Sequence, residues 1–461
     1  MTEQLPIFDE ELIRRYDRQG PRYTSYPTAV QFTETFGNAQ YLEHARASHA
    51  VAEPVPLSLY FHIPFCATVC YYCGCNKIVT KNRAHTIAYL ESLHREVEHQ
   101  GQLFDRARPV AQLHWGGGTP TFLAEDQMQA LMDHTRRHFS LLDHDAGEYS
   151  IEIDPRTVDP AKVTFLRRLG FNRLSLGVQD FEPAVQRAVN RLQSEEQTLA
   201  VMQAARDCRF TSISVDLIYG LPLQSVESFD RTLDKIVAAN PDRISVFNYA
   251  HLPSMFKTQR QINEHELPAP QVKLNILRHA ITKLIDAGYV YIGMDHFAKP
   301  DDELAIAQRE GTLSRNFQGY ATHGECDIVG LGVSSIGRIG NSYSQNERDL
   351  ERYCQRVDDE GLAVFRGITL NADDQLRRRV INELICHFQL ERDRFGVDFD
   401  RYFADEIEAL SGMAADGLLE IDGRWLRVRP AGRLLIRNIC MVFDRYLNEA
   451  TEAGRRFSKV I

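Results

Sequence analysis

The sequence predicts an α/β fold: an open, six-stranded parallel (β/α)6 partial barrel with an N-terminal arm and a smaller, mainly helical C-terminal domain. Three observations carry this expectation. From about residue 57 to 250 short apolar runs alternate with longer amphipathic stretches, as repeated βα units do. Each run ends in Gly, Pro or polar residues. Beyond residue 300 the pattern changes to helices followed by one hairpin. At 461 residues the chain exceeds what one small core organises. The expected division is therefore an arm over 1–52, a partial-barrel domain over 53–300 and a helical domain with a β-hairpin over 301–461.

The first run, Leu57-Ser58-Leu59-Tyr60-Phe61-His62-Ile63, alternates with period two and is expected to be a strand stopping at Pro64. Runs at Val110–Trp115, Tyr149–Asp154, Arg173–Gln179, Ser212–Tyr219 and Arg243–Tyr249 complete the six. Helical spacing between them, as in Ile87, Leu90, Leu93 and Val97, supplies the crossovers that parallel strands need. Gly116-Gly117-Gly118-Thr119, Pro155, Asp180, Gly220-Leu221-Pro222 and His251 follow the strands, and chemistry collects at such carboxyl ends in barrel-like α/β folds. The arm carries Arg14, Arg15, Tyr16, Arg18, Arg22, Tyr23 and Tyr26 and lacks periodicity after residue 18, so it should pack only on something else. Asp422-Gly423 between alternating runs predicts a hairpin near the other end. A winged helix is one reading of that end, but the acidity of the chain favours a structural lid.

A formal charge of −10 argues against a nucleic-acid partner, which would need clustered cations. The opening MTEQLPIFDEELIRR is too acidic for a signal peptide, and no apolar run reaches the length of a membrane span. A cytoplasmic protein with no membrane partner is expected.

Four of nine cysteines, Cys66, Cys70, Cys73 and Cys75, fall within ten residues. That clustering suits a metal site better than disulfides. Cys208, Cys326, Cys354, Cys386 and Cys440 are scattered and mostly lie among apolar neighbours, as core thiols do. Zinc sites generally pair two such cysteine couples across a longer excursion, and no second couple exists. Three thiolates from one tight loop could instead hold an iron–sulfur cubane with one iron left open.

C-x3-C-x2-C with an aromatic residue before the last cysteine resembles the signature of the radical S-adenosylmethionine superfamily. A narrower resemblance runs from RYTSYPTA through LSLYFHIPFC, CGCNKIVT, LHWGGGTPT, IEIDP, FNRLSLGVQDF, DLIYGLP, ISVFNYAHLP and YIGMDHFAKPDDELAIAQ to RNFQGY and LLIRNICM. It is to the oxygen-independent coproporphyrinogen III oxidase family. The resemblance implies a [4Fe-4S] cluster on Cys66, Cys70 and Cys73 and two molecules of S-adenosylmethionine. It also implies oxidative decarboxylation of two propionates of coproporphyrinogen III to vinyl groups, giving protoporphyrinogen IX, in a monomer served by a reducing electron donor.

The same resemblance assigns site residues. Tyr60, Gly117, Glu152 and Ile336 are expected at the cluster-bound cofactor, with Glu152 on its ribose, as acidic residues serve other adenosine cofactors. Tyr72, Gly118, Thr119, Gln179, Arg191, Asp216 and Ala250 are expected at the second molecule, and Cys75 is expected to be catalytic. Each has a plainer reading: a glycine turn, a strand aromatic, a buried cap or a solvated arginine. Their common position on strand ends favours the functional one. The four propionates need local cations in an acidic protein, and the arm supplies candidates. Two rivals remain open. Haem-carrying relatives share the cluster loop but lack the arm and a Cys75 equivalent, and a zinc-stabilised interaction protein would contain no sulfide.

Overall fold

Alternation places Leu57, Leu59, Phe61 and Ile63 on one face of β1 (Leu57–Ile63), each at most 1% exposed. Ser58 and His62 on the other face are buried too, so this strand is covered on both sides, as parallel strands usually are. The fold is that of a computed structural model, in which residues 5–448 are described. β2 (Pro109–Gly117), β3 (Glu148–Ile153), β4 (Arg173–Gln179), β5 (Ser212–Tyr219) and β6 (Arg243–Asn248) complete the expected six, all parallel to their neighbours.

Six is nevertheless too low a count for this sheet. β7 (Asp327–Leu331) runs parallel along the other side of β1, from Leu57 opposite Asp327 to Phe61 opposite Leu331. β8 (Ile336–Ile339), β9 (Ser342–Asn346) and β10 (Val364–Thr369) then follow antiparallel. These ten follow one another in the order β6-β5-β4-β3-β2-β1-β7-β8-β9-β10, within a mixed sheet of thirteen strands. The extra strands were hidden because they lie past the end of the βα rhythm, and β7 is five residues long with Gly330 inside it.

Helices α1 (His85–Leu103), α2 (Glu125–His138), α3 (Pro160–Leu169), α4 (Glu195–Asp207) and α5 (Val226–Ala239) fill the crossovers. Leu90, Leu93 and Val97 of α1 are buried as their spacing requires, but Ile87 is 55% exposed and does not belong to that face. α2 buries Met128, Leu131, Met132 and Thr135, one stripe at helical period, and carries acids in its first turn and bases in its last. Gln127 Nε2 donates to Thr86 Oγ1 (2.8 Å) and His134 meets His94 further along, so α1 and α2 run side by side in the same direction.

The chain forms two compact units, one of residues 32–276 and 325–369 and the other of residues up to 31, 277–324 and from 370 on. The expected boundaries at 52 and 300 do not coincide with them. The first unit contains the sheet, the five helices and helix Asn38–His49, whose Tyr41 donates to Gln100 Oε1 (2.8 Å). In the second, helix Ala372–His387 accompanies a three-stranded antiparallel sheet of Gln389–Glu391, Leu419–Ile421 and Trp425–Val428. The last two strands are the expected hairpin, and Asp422 Oδ1 accepts from the amides of Arg424 and Trp425 in its turn.

The start of the arm packs inside this second unit. Helix Glu10–Tyr16 is tied down by Asp416, which accepts from Tyr16 (2.7 Å) and pairs with Arg15 (2.7 Å). Tyr23 and Tyr26 are buried, and Tyr23 donates to Asp444 Oδ2 (3.0 Å). Of the scattered cysteines, Cys326, Cys386 and Cys440 are core thiols, whereas Cys208 and Cys354 are only half-buried.

Burial pushes the Asp444 carboxyl up to about 6 in spite of its hydrogen bond from Tyr23. The folded protein therefore binds a proton that the unfolded chain releases near pH 3.8. Stability from this group is complete below that pH and falls as pH rises through about 6, by roughly 3 kcal/mol in all. Asp444→Asn, which keeps an acceptor for Tyr23, should lose less thermal stability between pH 4.5 and 8 than the parent. Parallel losses in the two proteins would contradict this.

Candidate active site

β1 stops at Pro64, and a short strand Phe65–Cys66 leads into the cysteine loop. The loop is tied to the segment after β4 and to residues after β6: Asn190 Nδ2 donates to Val69 O (2.8 Å), Gln259 Nε2 to Tyr72 O (3.0 Å) and Thr258 Oγ1 to Cys73 O (3.1 Å). Cys66, Cys70, Cys73 and Cys75 line one cavity of about 320 Å³ at the carboxyl ends of β2 to β5. That volume is at the small end for a ligand pocket.

Gly117 and Gly118 form the opposite lip. Gly117 has φ +110°, and a Cβ there would stand 2.7 Å from the His62 ring. A Cβ on Gly118 would stand 2.7 Å from the Pro64 backbone. Only glycine lets β2 turn so close to the strand that delivers the cysteines. Thr119 Oγ1 lies 3.5 Å from Cys66 Sγ, and burial pushes the Cys66 thiol up to about 11 against that contact. A hydrogen bond from Cys75, helped against burial by the Lys77 charge, draws Cys73 down to about 6 and holds Cys75 well up.

Glu152, the last residue but one of β3, lies on the cavity wall with its side chain 45% exposed. Gly117 N donates to its Oε2 (3.2 Å), and His114 Nε2 lies 3.2 Å from its Oε1. Burial opposes its charge, but these partners outweigh burial and hold the carboxyl below its usual range. His114 is itself fixed by Ser150 (2.6 Å) and by stacking on Tyr60, ring centroids 5.8 Å apart. Asp216, two strands along, accepts from Ser175 (3.2 Å); burial and the Glu152 charge push it up to about 6.

Arg191 is 6% exposed, with Nη1 3.4 Å from Cys70 Sγ and 3.3 Å from Asp154 Oδ2, and Nη2 on Gly177 O. Arg156 Nη2 approaches the same sulfur at 3.6 Å and pairs with Asp154. Burial works against the Asp154 charge, yet the two guanidinium groups hold that carboxyl low. Gln179 closes β4 at φ +69° with its Oε1 buried and without a hydrogen-bond partner, as is Arg191 Nε.

The cavity thus gathers Tyr72, Gly117, Gly118, Thr119, Glu152, Gln179, Arg191, Asp216 and the four clustered cysteines. Tyr60, Ala250 and Ile336 do not line it. Tyr60 stands behind His114, the Ala250 carbonyl accepts from Gln259 (3.2 Å), and Ile336 begins β8, across β7 from Tyr60. Sequence reasoning missed His114, Asp154 and Arg156. The signal was present for all three, since they sit at or beside the carboxyl ends of β2 and β3, where the site was expected.

Residues 60–236 match the Radical SAM superfamily, and residues 370–435 match the HemN C-terminal domain. An oxygen-independent coproporphyrinogen III oxidase of Pseudomonas aeruginosa is 54% identical over 458 residues, 98% of this chain and 99% of its own length. The chain belongs to the oxygen-independent coproporphyrinogen III oxidase family. The relative of that name from Escherichia coli K12 is 51% identical over the full length of both chains. The solved structure described as coproporphyrinogen III oxidase (HemN) from Escherichia coli, a radical SAM enzyme, superposes with a TM-score of 0.91 at 50% identity, covering 96% of this chain and 100% of that one.

As a member of this oxidase family the chain is a radical S-adenosylmethionine oxidoreductase, with a [4Fe-4S] cluster and S-adenosylmethionine as cofactors. The residues present fit that chemistry. Three soft thiol donors from one loop face one cavity, with two guanidinium groups on Cys70 to offset thiolate charge. The unpartnered Gln179 Oε1 is an acceptor left for a polar ligand. Among the described residues no helix is long and apolar enough to cross a membrane.

Proposed function

We propose that this cavity carries out the oxygen-independent oxidative decarboxylation of two propionates of coproporphyrinogen III, releasing two CO2 and giving protoporphyrinogen IX in haem biosynthesis. The observation that carries the reading is the facing of three loop thiols and Glu152 across one cavity, in a chain related over its whole length to oxidases of that name. Cys66, Cys70 and Cys73 would hold the cluster, and S-adenosylmethionine bound there would supply the radical chemistry that removes a hydrogen atom from each propionate β-carbon, the substrate then giving up CO2 and one electron to an acceptor. The protein binds, orients and excludes water. The glycine lip lets Gly117 approach the methionyl end without a side chain between them. Glu152, kept ionised by His114 and Gly117, is an acceptor for ribose hydroxyls. Tyr60 and Ile336 complete this first site, Tyr60 by holding His114.

A second S-adenosylmethionine is served by Gln179, Arg191 and Asp216, with Tyr72, Gly118, Thr119 and Ala250 around them. Its use is to let two decarboxylations follow each other. The parallel strands β1 to β6 are arranged as the open partial barrel of the catalytic part of the chain, and arm residues supply cations for propionates. The protein acts as a cytoplasmic monomer without nucleic-acid or membrane partners, and takes electrons from a reducing donor.

The test is an anaerobic assay of the cluster-loaded protein with coproporphyrinogen III, S-adenosylmethionine and a reductant. Protoporphyrinogen and two CO2 per substrate are expected, and 5′-deoxyadenosine without CO2 would reject the substrate assignment. Cys75→Ser belongs in the same assay. Cys75 hydrogen-bonds the sulfur of Cys73, so the variant should keep its iron but lose decarboxylation. Full activity would show Cys75 to be dispensable, and loss of iron would make it a ligand.

A further inference from the structure

Outside the cavity, α1 and α2 bring a second set of ligand-type side chains together. His94 and Glu98 lie one turn apart on α1, and His134 and His138 one turn apart on α2, so each pair shares a helix face. Gly101 lets the helices close: a Cβ there would stand 2.6 Å from the Cβ of His138. One donor atom each from Glu98, His134 and His138 lie within 4.8 Å of one another. The His134 ring sits between those of His94 and His138, at centroid distances of 4.7 and 4.6 Å. We infer that this helix pair is a binding site for a borderline divalent cation of the zinc class, with Glu98, His134 and His138 as ligands and His94 beside them. The inference stands independently of the reaction proposed above.

Tautomer geometry supports it. His134 Nε2 lies 2.9 Å from the His94 backbone carbonyl, which can only accept, so Nε2 carries the proton and the lone pair is on Nδ1. A ring N–H fixed on a carbonyl is the usual support of a metal-binding histidine. Nδ1 accepts from the Arg137 guanidinium at 2.9 Å, an exposed contact that a cation would replace. His94 Nε2 is buried and has no hydrogen-bond partner. Two imidazoles and one carboxylate are a zinc-type donor set, whereas magnesium and calcium favour oxygen ligands.

The test uses cluster-loaded protein, in which iron already occupies the cavity thiols, and Zn2+ as the probe against a chromogenic chelator. One Zn2+ per chain is expected, with X-ray absorption showing imidazole and nitrogen or oxygen ligands at about 2.0–2.1 Å. His138→Ala and Glu98→Ala should each weaken Zn2+ at least about tenfold, since loss of even a group that orients a ligand costs that much. Neither side chain lines the cavity, so both variants should still form 5′-deoxyadenosine at the parental rate. A sulfur shell at about 2.3 Å, or equal Zn2+ affinity in the parent and both variants, overturns the site.

Discussion

Replacing Cys66, Cys70 or Cys73 by Ala should remove the iron–sulfur cluster and reduce both 5′-deoxyadenosine and product to the level of a protein-free control. The three sulfurs come from one loop and face one cavity, and three thiolates are the fewest that hold a cubane with one open iron. The parent should carry about four irons and matching sulfide per chain. Cys66→Ala is the cleaner variant. Cys70 is buried beneath Arg156 and Arg191, and its loss leaves two guanidinium groups without the sulfur they approach. Iron and sulfide analysis after anaerobic reconstitution decides the matter. Zinc without sulfide in the parent would reject the whole reading, and retained iron in any of the three variants would remove that cysteine from the ligand set.

Glu152→Ala and Asp216→Ala should fail at different stages. Glu152 is gripped by Gly117 N and His114 at the mouth of the glycine turn, so its loss releases the carboxylate proposed to position the cluster-bound cofactor. Misplacement on the scale of an ångström costs about 10²-fold, and 5′-deoxyadenosine formation should fall by at least that. Asp216 lies on β5, held by Ser175, and removing it leaves the loop, the glycines and Glu152 in place. Asp216→Ala should therefore make 5′-deoxyadenosine within a few-fold of the parent while product falls about 10²-fold. Both products are measured under the same reducing conditions, with S-adenosylmethionine counted per chain. One molecule per chain in the parent, or normal product from Asp216→Ala, refutes the two-site assignment.

The parts of the site written locally were readable in the chain itself. The cysteine spacing, the glycine turn after β2 and the carboxylate on β3 each follow from neighbouring residues, and all three meet in the cavity. What depends on distant pairing was not readable. Asp327–Leu331 looks like any short apolar run, and nothing near it says that it lies beside Leu57–Phe61. Tyr60 illustrates the same limit at one residue. Period two puts it opposite the apolar face, but its support of Glu152 runs through His114 on a neighbouring strand. Arg156 and Arg191 converge on Cys70 from loops after two different strands, and no spacing rule joins them.

β1 is flanked by β2 on one side and β7 on the other. Leu57 pairs with Asp327, a separation of 327 − 57 = 270 residues. During synthesis at roughly 5–20 residues per second, the strand that delivers the cysteines waits on the order of 15–50 seconds for that neighbour. In that interval its unpaired backbone is an open template for strands of other chains. The ribosome thus exposes the core strand of this enzyme before it can be sealed, and slow growth or a pause ahead of residue 327 prolongs its risk of aggregation.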